Sequence, residues 1–149
     1  MLRKKNWILL ADGGQARVME RIAPFGKLKE ILNLSHTRLS PHEQAADQPG
    51  RNFESASPAR HAYDSPSDGH ELQKKDFAKE LAALVKNAYQ TKQFEELCII
   101  SPPHMLGLLR SFLNNSPVHS KIVKESHKDI IAFPLEEVQS YVDNLPAKR

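Results

Sequence analysis

The sequence predicts an α/β protein built on a mixed five-stranded sheet, and three observations lead there. Residues 6–22, NWILLADGGQARVMERI, set two apolar runs on either side of Asp12-Gly13-Gly14-Gln15. Paired glycines between apolar runs read as a tight hairpin turn, because glycine adopts positive φ without steric cost. After a third short run and a long irregular stretch, helical periodicity alternates with two short apolar segments. The predicted order is β-β-β-α-β-α-β-α.

Each element follows from its residues. The first strand, 7–11, is apolar throughout, as in a central strand covered on both faces. In the second, 16–22, Ala16, Val18 and Met19 mix with Arg17, Glu20 and Arg21, which describes a strand with one wetter face. Pro24-Phe25-Gly26 turns the chain into a third strand over 27–34. Residues 35–69 then hold four prolines, many small polar residues and few large apolar ones, and are expected to be a long loop. Asp68 followed by Glu71 resembles a capping box, which predicts a helix start there. Behind it Phe77, Leu81, Leu84/Val85 and Ala88/Tyr89 recur at helical spacing, with Lys74, Lys75, Lys79 and Lys86 on other faces. LCII at 97–100 is a short buried strand, and Ser101-Pro102-Pro103 ends it and opens a second helix. A last strand is expected at 121–125 and a last helix at 134–145. Three antiparallel strands followed by two strands flanked by helices is the succession of ribonuclease H-like domains, an analogy of fold that licenses no function.

Composition sets outer limits. At 149 residues the chain is expected to form one domain, 1–149, large enough for a real core. Its formal charge of +3 is compatible with a nucleic-acid partner but too small to argue for one. The lone cysteine, Cys98, allows no internal disulfide and no cysteine-rich metal site. The apolar run after Arg3-Lys4-Lys5 stops at Asp12, short of the roughly 7–15 residues of a signal core. No stretch approaches the roughly 20 apolar residues of a membrane span. The expected location is therefore the cytoplasm, with no membrane partner.

Four groups of residues invite a chemical reading. Gly13-Gly14-Gln15 repeats the tripeptide of class-1 peptide-chain release factors, but turn geometry already explains both glycines. Asp12 stands where ribonuclease H-like nucleases place a metal-binding carboxylate. The strand at 97–100 offers no second carboxylate at its end, so two-metal chemistry is not expected. The loop histidines 36, 42, 61 and 70 match no zinc-ligand spacing, and neither metal nor cofactor is expected. Ser101 and His104 at a strand-to-helix junction make a better candidate. Free N–H groups at a helix start favour an anion, and Arg110 would add a fixed positive charge.

Several blocks together resemble the bacterial host attachment protein family. They are WILLADGGQARVM at 7–19, Asp47-Gln48-Pro49-Gly50-Arg51-Asn52-Phe53 with Ser55 and Arg60, the helix at 77–84, SPPHMLGLLR at 101–110, and Lys128-Asp129-Ile130. The resemblance runs from about residue 6 to 141. It implies a role in attachment to host cells. The family's domain is similar to the middle domain of archaeal and eukaryotic release factors and of Pelota, which implies a ribonuclease H-like fold and a ribosome or tRNA connection. In that comparison the loop at 35–69 takes the place of the release-factor catalytic loop, yet it contains no Gly-Gly-Gln. What carries over to it is a candidate RNA-contacting patch of Asp47, Gly50, Arg51, Phe53 and Arg60.

The expected function is thus a non-catalytic binding module of this family acting on ribosomes or RNA. The competing expectation is a peptidyl-tRNA hydrolase working through the loop or Gln15. A third is a protein that meets a host surface directly.

Overall fold

In a computed structural model the protein is described over residues 4–23, 26–36 and 66–148. Five strands form one sheet: β1 (Lys4–Ala11), β2 (Gln15–Ala23), β3 (Lys29–Ser35), β4 (Glu96–Ile100) and β5 (Ile122–Ser126). Among the described residues three α-helices accompany them: α1 (Pro66–Gln90), α2 (Pro103–Leu113) and α3 (Leu135–Asp143). The order across the sheet is β3-β2-β1-β4-β5. The first three strands are antiparallel neighbours, while β1–β4 and β4–β5 run parallel. Strand order and direction are those of the ribonuclease H-like architecture read from the element order.

The unbroken apolar run of β1 is explained by two cores, one on each face. Trp7, Leu9 and Ala11 join Val18, Leu97 and Ile99 against Phe77, Leu81 and Val85 of α1 and Met105, Leu109 and Leu113 of α2. Ile8 and Leu10 join Met19, Cys98 and Ile100 against Val138 and Val142 of α3. The two-residue alternation of the strands therefore sorts side chains between two layers, both dry.

Some boundaries differ from the sequence reading. The turn glycines are the chief correction: no described glycine has a positive φ. The β1–β2 turn is closed instead by Asp12, whose Oδ1 accepts the amides of Gly14 and Gln15 at 2.9 and 2.8 Å. A side chain can thus replace positive φ as the device that reverses the chain. Helix α1 begins at Pro66, two residues ahead of the expected cap at Asp68, because proline in the first turn gives up no needed donor. A 3₁₀ turn over Pro117–Lys121 precedes β5, which pushes that strand one residue along. The single left-handed residue among those described is Lys92, at φ 63°. It closes α1: Gln93 N–H reaches Ala88 O and Lys92 N–H reaches Tyr89 O, the double bond of a Schellman cap.

Candidate functional site

The parallel strands bring several of the singled-out residues to one end of the sheet. Leu10 pairs with Ile100, and Ile100 pairs with Ser126, so the turn after β1 and the junctions after β4 and β5 share that edge. Ser35, at the end of β3, lies opposite Gln15 in the register. His36 donates its amide to Gly14 O at 2.8 Å.

Helix α1 packs its first turns over the hairpin. A side chain added at Gly13 would meet Cε and Cγ of Lys74 at 3.1 and 3.2 Å, so the stem of Lys74 lies across that glycine. Gly14 has open space instead. One turn before Lys74, the Glu71 carboxylate meets Nε2 of His104 at the start of α2. On the other flank of α1, Glu80 lies 3.9 Å from His36 Nδ1, and the His36 ring packs on Phe77.

The junction before α2 holds an anomaly. Ser101 is fully buried, its amide donates to Ser126 O at 3.0 Å, and its hydroxyl has no hydrogen-bond partner. Helix α2 has no side-chain cap and no acid in its first turn. Arg110 is not gathered here. It lies two turns further along α2, where Nε bonds Glu125 Oε1 at 3.0 Å, and Lys148 bonds the other oxygen of Glu125 at 3.2 Å. Burial opposes charge on Glu125, yet the bonds from Arg110 and Lys148 prevail and hold its carboxyl below the usual range.

Arg17, taken from the sequence with the hairpin, is an internal tie. Nε and Nη2 bond Glu30 at 3.0 and 2.8 Å, and Nη1 donates to the carbonyls of Ile131 and Phe133 at 2.7 and 2.8 Å. Asp47, Gly50, Arg51, Phe53 and Arg60 lie outside the described residues. Among the described residues, no three His, Cys, Asp or Glu side chains group as a metal site, and no helix is long and apolar enough to cross a membrane. Sequence reasoning missed Glu71, whose contact with His104 spans 33 residues and leaves no local signal.

The model of a family described as "protein required for attachment to host cells" matches residues 7–142. The chain belongs to that family. No curated protein matches it. Solved structures similar to this host-attachment chain include the Aquifex aeolicus PPX-GPPA enzyme, at 8% identity and a TM-score of 0.42. That match covers 84% of this chain and 36% of the other. The type II variant of the A. aeolicus Ppx/GppA phosphatase matches at 9% identity and TM-score 0.39, over 83% and 35% of the two chains. The host-attachment chain thus spans about a third of the length of these structures.

Proposed function

We propose that this host-attachment family protein is a non-catalytic binding module whose ligand is RNA of the translation apparatus. The observation that carries the reading is a line of unpaired cations. On α1, Lys75, Lys79 and Lys86 fall within about 40° of one another around the axis and span about 16 Å along it. Among the described residues none of the three has an ion-pair partner, and Lys74 has none beside the hairpin. Asp76 and Glu80 lie about 60–140° round the axis from these lysines, and Glu71, one turn before Lys75, is engaged by His104; Lys75 and Lys79 are exposed and Lys86 is half-buried. A row of free ammonium groups suits a phosphate backbone, which rewards their neutralisation by releasing counterions.

Among the described residues no three carboxylates converge, as two-metal hydrolysis would need. Asp12 already gives Oδ1 to its own turn, and β4 is followed by Ser101 rather than an acid. The test is binding to tRNA and to ribosomal RNA across a salt series, comparing wild type with Lys75→Ala/Lys79→Ala/Lys86→Ala. The triple variant should show a slope shallower by about 2–3 in log affinity against log salt. Unchanged slopes and affinities would remove α1 from any RNA surface.

A further inference from the structure

We propose that the start of α2 is a binding site for a single phosphate group, formed by the His104 and Met105 amides, the Ser101 hydroxyl and the His104 ring, with Lys74 beside it. This goes beyond the lysine stripe and stands without it, because the amides, hydroxyl and imidazole come from the strand-to-helix junction and Lys74 is not one of the stripe's three lysines.

The first pointer to the site is a set of free backbone donors. Pro102 and Pro103 carry no N–H, and the first intrahelical bond to the cap runs from Leu106 to Pro102 O at 2.9 Å. The amides of His104 and Met105 are left with neither a backbone acceptor nor a side-chain cap. Helix α2 has 11 residues, enough to focus a partial positive charge at this end.

The second is Ser101. Its amide continues the β4–β5 ladder, so strand alternation carries through it. Leu97 and Ile99 face the α1–α2 layer, and Ser101 follows them in phase, which sets its side chain beneath the start of α2. That hydroxyl is buried and has no partner, an arrangement proteins rarely leave unfilled.

The third is Glu71. Helix α2 supplies no acid to its own N-terminus, and the carboxylate found there is borrowed from α1, on His104 Nε2. Glu71 is half-exposed, with 49% of its side chain accessible, so it can swing away. It stands where one oxygen of an incoming anion would bond the imidazole. Lys74, three residues on, projects from the same side of α1 and has no partner of its own. Two amides, a hydroxyl, an imidazole and an ammonium together make a donor set for an oxyanion with several acceptor oxygens, and phosphate has that form.

The phosphate can belong to an RNA strand or to a free small molecule, and the experiment separates them. The full chain, labelled with 15N, is titrated with inorganic phosphate at constant ionic strength, and separately with a short oligoribonucleotide. Saturable shifts of the His104 and Met105 amides are expected with phosphate. Ser101→Ala should weaken binding about tenfold, and Glu71→Gln, which removes the competing charge, should tighten it several-fold. An oligonucleotide that moves the same two amides at lower concentration assigns the site to a polymer phosphate. One that leaves them still while inorganic phosphate shifts them assigns it to a free ligand. The proposal is overturned if neither ligand gives saturable shifts there, or if Glu71→Gln, a surface change that leaves the core intact, fails to tighten binding. An RNA-binding salt slope unchanged in the Lys75→Ala/Lys79→Ala/Lys86→Ala variant, with these shifts intact, would sink the reading of the stripe alone.

Discussion

Arg17 and Glu30 meet across the β2–β3 pair at 2.8 Å, and the same guanidinium reaches two carbonyls more than a hundred residues away. The Arg17 side chain is only 11% exposed, so its replacement leaves those two carbonyls without their donor and Glu30 with Asn33 alone. Arg17→Met should cost about 2–4 kcal/mol, while Glu30→Gln, with its partner's carbonyl bonds intact, should cost about 1 kcal/mol. Urea unfolding midpoints at fixed m-value measure both, and equal costs would contradict this assignment.

Lys92 holds a left-handed conformation that a side chain makes costly, and it does so inside a cap whose hydrogen bonds are already made. Lys92→Gly should therefore stabilise the protein by about 0.5–1 kcal/mol. A rise in the thermal midpoint is the expected readout. A fall would mean that the lysine side chain contributes something other than strain.

The two turn glycines should behave unlike each other. Gly14→Ala is expected to be neutral within about 0.5 kcal/mol, since the position has open space and no left-handed backbone. Gly13→Ala requires the Lys74 stem to shift by a few tenths of an ångström. Asp12→Ala should be the worst of the three, at about 1–2 kcal/mol, because two amides lose their acceptor. Parallel denaturation curves of the three variants decide the order.

Glu125 gives the stability an acid limb. Its carboxyl ionises below the usual range in the folded chain, so its contribution is complete above about pH 4.3, the unfolded value. That contribution is lost as pH falls through the lower, folded value. Glu125→Gln should flatten the fall in unfolding midpoint on acidification below about pH 4.3 and lower stability at neutral pH. A variant whose acid limb matches wild type would remove the Arg110–Glu125–Lys148 cluster from this role.

Cys98 is buried, and burial pushes its thiol up to about 12. Thiol reagents should modify it only as fast as the protein opens, with burst labelling in denaturant and almost none in buffer. Rapid labelling of folded protein would show that β4 opens locally.

Local pattern carried much of the architecture. The apolar run at Trp7–Ala11, the spacing of Phe77, Leu81 and Val85, and the double proline after Ile100 each encode a strand, a helix or a boundary within a few residues. The candidate site was legible only in pieces. Ser101 and His104 announce a helix start, but nothing near them in sequence names Glu71 as the carboxylate that His104 meets. Arg17 reads as a wet-face residue of β2 until the far carbonyls of Ile131 and Phe133 are brought beneath it. The glycines misled for a physical reason: Asp12 performs the reversal that their composition suggested they performed.

The placement of β1 at the centre of the sheet bears on how the chain reaches this state. Its contact with β2 is local and needs only the Asp12 turn. Its contact with β4 joins groups 90 residues apart, as in the bond from the Lys5 amide to Glu95. Closing so long a loop costs entropy before any ladder bond repays it. The β1–β2–β3 meander is therefore the natural nucleus, leaving one flank of β1 unpaired until α1 delivers β4. During that interval a strand edge apolar from Trp7 to Ala11 is open to other chains, and slow refolding at high concentration is where this molecule is most exposed to aggregation.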